Sequence, residues 1–316
     1  MKIEECKTGM SVKQKKRISQ SDVELTVLAL PVLIKTIIFA YLPMIGIIIA
    51  FKNLDYSKGI FGSDWVGLKN FEFFFKSADC WRVTRNTLFM NSLFIISGLV
   101  ANVLLALLLY RVINRSKIMK TYQMCMLFPH FLSWVIVAVI LDTVIGTNGL
   151  INSLRSMFGV SSVSFYKEAS YWPIILMLSN VWKWAGYSSI TYFTVLIGID
   201  QSQYEAARID GASDFVIMLK IQIPYLVPMI VINTLVSIGN IIRADFGMFY
   251  YLPGPTNSFT LATTDVIDTY IFRSVKQLGD MTMSSAVGVY QSLVGFVLIM
   301  ISNFVVKKYD SSYSLF

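Results

Sequence analysis

Six mostly apolar stretches of about 20 residues or more recur along this chain, and they leave it few possible folds. Their approximate bounds are 25–50, 87–109, 123–145, 173–199, 222–243 and 286–306. As a helix, a run of that length spans the hydrocarbon core of a bilayer and satisfies its own backbone hydrogen bonds, which an open strand or loop in lipid cannot do. The chain therefore reads as all-α, a polytopic membrane protein with six transmembrane helices. Prolines 31, 43, 129, 224 and 228 fall inside or at the ends of these runs, where membrane helices tolerate kinks. Composition agrees: 15% of the 316 residues are charged and 55% are apolar, against about a quarter charged in a soluble domain.

The net charge of +8 is distributed by topology rather than gathered into one basic patch, so no nucleic-acid partner is expected. An even number of spans puts both termini on one side. That side carries Lys2, Lys7, Lys13, Lys15, Lys16 and Arg17 in the N-terminal tail, and Arg111, Arg115, Lys117 and Lys120 in the acid-free connection 110–122. Arg208, Lys220, Lys307 and Lys308 complete it. The opposite face spreads its Lys and Arg residues over longer loops, so the density rule makes both termini cytoplasmic. Cys6, Cys80 and Cys125 form no CxxC pair, and His130 is the lone histidine. Neither a disulfide framework nor a zinc or other metal centre is expected. The apolar run after the basic N-terminus exceeds a signal-peptide core. Residues 61–76, FGSDWVGLKNFEFFFK, mix aromatics with lysines and suit either an interfacial anchor or a docking surface for another protein.

Between the fourth and fifth spans lies EAARIDGASDFVIMLKIQIPYLVP, residues 205–228. Its first part is too polar to cross a bilayer, which makes it a surface loop. Read as a helix, 204–219 places Ile209, Ala212, Phe215 or Val216, and Leu219 on one apolar stripe. Glu205 and Arg208 are spaced to pair at i, i+3 on the polar side. Gly211 interrupts the run at a cost of about 1 kcal/mol in a continuous helix, so it marks a turn between two short helices. Pro224 is expected to start the next membrane helix.

The same stretch resembles the cytoplasmic EAA loop of binding-protein-dependent ABC importer permeases. That pattern is Glu-Ala-Ala, three residues, Gly, nine residues, Ile, one residue, Leu-Pro. Here it reads Glu205, Ala206, Ala207, then Gly211, Ile221 and Ile223-Pro224, with Ile223 replacing Leu. Asp210 completes the EAAxxDGA form of the sugar permeases. YLPMIGIIIAFKN at 41–53, WVGLKNFEFFF at 65–75, RNTL at 85–88, FPHFLSWV at 128–135, NVWKWAGYSSITY at 180–192 and AVGVYQS at 286–292 extend the resemblance to the carbohydrate branch, and especially its MalF/LplB-like oligosaccharide or polysaccharide subgroup.

The resemblance implies a six-span core with a cytoplasmic coupling helix at about 204–219, in a bacterial cytoplasmic membrane. It implies as partners a second related permease, two ATPase subunits that hold ATP and Mg, and an extracellular sugar-binding protein, a lipoprotein in Gram-positive relatives. It casts Glu205 as a polar contact to the ATPase, Ala206 and Ala207 as the close-packing face, and Gly211 as the turn, with Asp210 beside them. The chain then divides into a basic tail 1–24, a first transmembrane helix with an external segment 25–85, a core 86–306 of five helices, and a tail 307–316.

Ionisable residues within spans are functional candidates because burying them in lipid is costly. Lys183 is the foremost, with Lys35 and Asp142 nearer the ends of theirs. Lys183, Trp184 and Tyr187 are the candidate sugar contacts, since sugars offer apolar C–H faces and many hydroxyls. A Trp belt with a snorkelling lysine fits the same residues, and positions 182–184 point about 100° apart on a helix. No GxxxxGK[ST] stretch occurs, so no P-loop ATP site and no cofactor is expected in the chain itself. Neither a GxSxG elbow nor an intramembrane His or acid cluster speaks for a membrane enzyme, and no catalytic residue is assigned. An ion-coupled secondary transporter is the nearer alternative.

Overall fold

A computed structural model describes residues 20–309. The basic tail from Lys2 to Arg17 and the end of the chain after residue 309 lie outside the described residues. Two compact units divide between Ile48 and Ile49. In the first, helix α1 (Gln20–Thr36) continues through a π turn, Ile37–Tyr41, and then a 3-10 turn. Residues 24–45 are exposed, which suits apolar side chains facing lipid or another subunit.

The second unit opens with a two-stranded antiparallel ladder, β1 (Lys52–Asn53) against β2 (Asp64–Trp65), around the short helix α2 (Gly59–Gly62). Amphipathic α3 (Lys69–Lys76) buries Phe74 against Tyr270 and Tyr290 and leaves Phe73 and Phe75 exposed. Helices α4 (Ala78–Arg111), α5 (Ser116–Leu127), α6 (Trp134–Ile145), α7 (Leu150–Met157) and α8 (Trp172–Ile197) follow. Then come α9 (Gln201–Ile209), α10 (Asp214–Ile217), α11 (Ile223–Gly239), α12 (Phe246–Tyr251), α13 (Leu261–Thr264), α14 (Ile267–Leu278) and α15 (Met281–Tyr309). The most extensive helix–helix packing joins α4 to α8.

Five helical runs among the described residues are long and apolar enough to cross a membrane: Glu24–Phe51, Ala78–Arg111, Trp134–Met157, Asp214–Gly239 and Met281–Lys308. The predicted fourth span coincides with α8, whose 26 residues give ample length but which is less apolar than the others. Its polarity has a use described below. The predicted third span, 123–145, is not one helix. It breaks after Leu127 into a 3-10 turn, Phe128–Phe131, because Pro129 has no N–H to continue the ladder. Ser133 then caps α6 by accepting from the Ile136 N–H at 3.4 Å. The predicted start of the fifth span at Pro224 is also corrected. Helical structure runs unbroken from Asp214, and a π turn at Met218–Gln222 takes up the clash between the proline ring and the carbonyl four residues earlier.

The core has three centres. At the C-terminal end of α4, Ala106, Leu107 and Leu109 pack with Phe193 and Leu196 of α8, Tyr204 of α9 and Ile217 of α10. Mid-bundle, Met90, Trp134, Trp172 and Leu176 surround Met248 and Phe249. The third, Phe74, Val83, Ile242, Ile267 and Val287, closes the other end. There the fully buried Asp265 carboxylate accepts from Arg82 and Arg273 at 2.8 and 2.7 Å, pinning α14 to α4.

Candidate functional site: a helix-lined cavity and an exposed two-helix turn

The break at 128–133 frees backbone carbonyls away from water, and a lysine collects them. Lys183 Nζ donates to Pro129 O at 3.4 Å, to His130 O at 3.1 Å and, closest, to Leu132 O. An ammonium has three N–H donors and here meets three acceptors. Its carrier helix makes the approach possible: a Cβ at Gly186 would sit 2.0 Å from Met126 O, so only glycine lets α5 come so close. Lys183 is 5% exposed, with Nζ 5.1 Å from the centre of the Trp134 ring. It is neither a snorkelling anchor nor a cavity-facing group.

A second interruption, 240–245, separates α11 from α12 and is supported in the same way. Asn91 Nδ2 donates to Ile241 O and Arg243 O at 2.7 and 2.9 Å, and Gln291 Nε2 to Ile242 O at 2.9 Å. Asp268 Oδ2 accepts from the Ala244 N–H at 2.8 Å. The two interruptions meet where Trp134 Nε1 donates to Asp245 Oδ2 at 2.7 Å. Non-helical backbone at this depth survives only when protein groups satisfy it, and here side chains of α4, α8, α14 and α15 supply that satisfaction.

Between α4, α8 and α11 lies a cavity of about 680 Å³. Phe94, Trp184 and Tyr187 give it aromatic walls, and Asn91, Asn102, Asn180, Asn233 and Asn240 give it amides. His130 stacks on Tyr187 at 4.2 Å and meets Trp184 edge-on at 4.9 Å. Of the three residues proposed from sequence, Trp184 and Tyr187 line this cavity and Lys183 does not. Trp182 points elsewhere and is 45% exposed. Lys35 and Asp142 are exposed. Arg243 and Asp245 also line the cavity. Neither residue is singled out by the sequence reading, although the polar cluster Asn240, Arg243, Asp245 at the end of an apolar run is a signal for them.

The segment after α8 forms two helices about a turn. Asp200 caps α9 by accepting from the Ser202 N–H at 3.0 Å, and the backbone and hydroxyl of Ser202 hold its carboxyl below the ordinary aspartate value. At the far end the Gly211 N–H donates to Arg208 O and the Ala212 N–H to Ala207 O, with Gly211 at φ 77°. This is a Schellman closure, which requires a left-handed residue at the glycine position. Ala207 and Ala212 both pack on the core beneath α9. Ala207 therefore faces its own subunit, while Glu205, Ala206, Arg208 and Asp210 are exposed. Of the predicted stripe, Ile209 (87% exposed), Phe215 (60%) and Leu219 project as an apolar edge, while Ala212 turns to the core. Among the described residues Glu205 and Arg208 form no ion pair.

A helical bundle with interrupted membrane helices around a polar cavity defines a class, the transport proteins that admit cargo between helices. Residues 98–311 match the family described as binding-protein-dependent transport system inner membrane component, and the chain belongs to that family. It is 34% identical to Protein LplB of Bacillus subtilis (strain 168) over 287 residues, covering 90% of this chain and 89% of that protein. It is 35% identical to the polygalacturonan/rhamnogalacturonan transport system permease protein YteP of the same organism, over 90% of this chain and 88% of that one. A chain in the crystal structure of a bacterial ABC transporter that imports the acidic polysaccharide alginate superposes with a TM-score of 0.82 at 31% identity, covering 92% of this chain and 97% of that one. A chain of a bacterial alginate ABC transporter, in complex with alginate pentasaccharide-bound periplasmic protein, gives 0.81 at 30% identity, covering 92% and 96%.

Proposed function

We propose that this chain is a permease subunit of an ABC importer that moves a carbohydrate, in particular an oligosaccharide, across the bacterial cytoplasmic membrane. The observation that carries this reading is the cavity between α4, α8 and α11, where aromatic faces suit sugar C–H surfaces and side-chain amides suit hydroxyls. Trp184 and Tyr187 are the proposed sugar contacts, and Lys183 supports them from behind. The carbohydrate relatives point the same way. α8 serves as the sixth span, polar because it faces this cavity and the break beside it. The turn between α9 and α10 faces the cytoplasm, on the same side as both termini.

Alternating access needs a ligand whose binding differs between two conformations. That ligand is ATP with Mg on two separate ATPase subunits, which dock on α9 and the turn after it. Ala207, Gly211 and Ala212 are accounted for by the fold of the turn itself, whereas Glu205, Ala206 and Asp210 are displayed without a local partner that explains them. A second related permease completes the pathway, and an external sugar-binding protein delivers cargo to the opposite face.

The test is purification from native membranes through a tag on this chain. A second permease and two ATPase copies should co-purify, and the reconstituted assembly should take up oligosaccharide only with ATP. Gradient-driven uptake by this chain alone would establish a secondary carrier instead.

A further inference from the structure

We propose that the cargo carries a carboxylate, as a uronate-containing oligosaccharide does, and that Arg243 is the side chain that binds it; this rests on the carbohydrate reading above. Arg243 projects into the cavity from the interrupted segment 240–245 and is exposed there. Its backbone is fixed, because Asn91 and Gln291 hold its own carbonyl and those of the two residues before it, and Asp268 holds the N–H of the residue after it. Among the described residues no carboxylate lies within ion-pair distance of its guanidinium.

The neighbouring acids are committed elsewhere. Asp245 gives one oxygen to Trp134 Nε1 at 2.7 Å and the other to the Met248 N–H at 3.3 Å. Asp268 lies within electrostatic range of Arg243, but its carboxylate accepts from the Ala244 N–H and Gln291 Nε2. The guanidinium fork is thus free to face the cavity, and its planar pair of donors matches a carboxylate in two parallel hydrogen bonds. Water can solvate it while the cavity is open. Once the cavity closes around cargo, an unpaired guanidinium becomes costly, and a neutral sugar offers it no counter-charge.

The test uses the reconstituted importer with its own binding protein. Uptake of trigalacturonate is compared with its methyl ester and with maltotriose, for wild type, Arg243→Gln and Arg243→Lys. Every variant sees the same binding protein, so selection upstream cancels in the ratio of acid to ester uptake. For loss of a bidentate charged contact, that ratio should fall about tenfold or more in Arg243→Gln and recover in part in Arg243→Lys, which keeps the charge without the fork. A ratio unchanged in Arg243→Gln overturns the role of Arg243. A wild type that carries the ester or maltotriose but not the acid overturns the acidic cargo and leaves the carbohydrate reading intact. Uptake of no saccharide overturns both.

Discussion

Two interruptions of helical structure, at 128–133 and at 210–213, solve the same problem by opposite means. Each leaves carbonyls at a helix end that can no longer bond within the helix. At 210–213 the chain closes on itself: Gly211 takes a positive φ, and the Gly211 and Ala212 N–H groups return to the Arg208 and Ala207 carbonyls. At 128–133 local closure reaches only one of the three carbonyls at issue, Pro129 O, which accepts from the Leu132 N–H at 3.2 Å. Three carbonyls are collected by Lys183, about fifty residues further along the chain, and α8 must carry Gly186 to bring that lysine within reach. A turn bathed in water can be built from neighbours, because solvent takes whatever is left unsatisfied. A turn within the bundle must import its partners, and the whole bundle then depends on them.

That contrast breaks if the buried interruption tolerates change, so the largest effect is expected there. Lys183→Met preserves volume and removes all three donors. His130 O and Leu132 O would be left without a partner, at about 1–3 kcal/mol each, so a stability loss of about 2 kcal/mol or more and poor recovery of folded protein should appear in detergent melts. A melt like the wild type would show that the break is held by something else. Next comes Gly186→Ala, whose methyl meets the Met126 carbonyl. Overpacking of this kind costs about 1–3 kcal/mol, read as a lower melting temperature with the α5–α8 contact loosened.

The exposed turn should give smaller changes in stability and larger ones in coupling. Gly211→Val forces a β-branched residue into left-handed backbone, at about 1–2 kcal/mol, with open space around the new side chain. Uptake should be lost and ATPase association weakened at matched permease levels, while the melt moves little. Glu205→Lys should be the mildest for the fold, within about 0.5 kcal/mol for an exposed site, and should still reduce ATPase pull-down. Retention of full transport by both variants would move coupling away from α9.

The difference between these regions also explains what could be read in advance. Gly211 announced its turn because the residues that need it, Ala207 through Ala212, are consecutive, and the backbone there obeys local rules. The small size of Ala207 has a use within its own subunit, where it packs on the core beneath α9. Lys183 stands out in the sequence as an ionisable group in a long apolar stretch, but periodicity says nothing of which carbonyls a distant proline has set free. Arg243 escapes a sequence reading for a related reason. Arg243 is the last residue of the apolar run 222–243, and nothing local shows that Asn91 and Gln291 hold its backbone at the cavity wall.

By itself the sequence determined that the chain is a bundle of membrane helices and where one exposed segment turns, because hydrophobic length and glycine's backbone freedom act over neighbouring residues. Only the tertiary structure decided which polar residues support the fold and which line the cavity. Lys183 and Trp184 are adjacent in sequence and one helical step of about 100° apart, so one is buried among carbonyls while the other faces open space. Which of the two directions means burial depends on the helices packed around α8, and those come from every part of the chain.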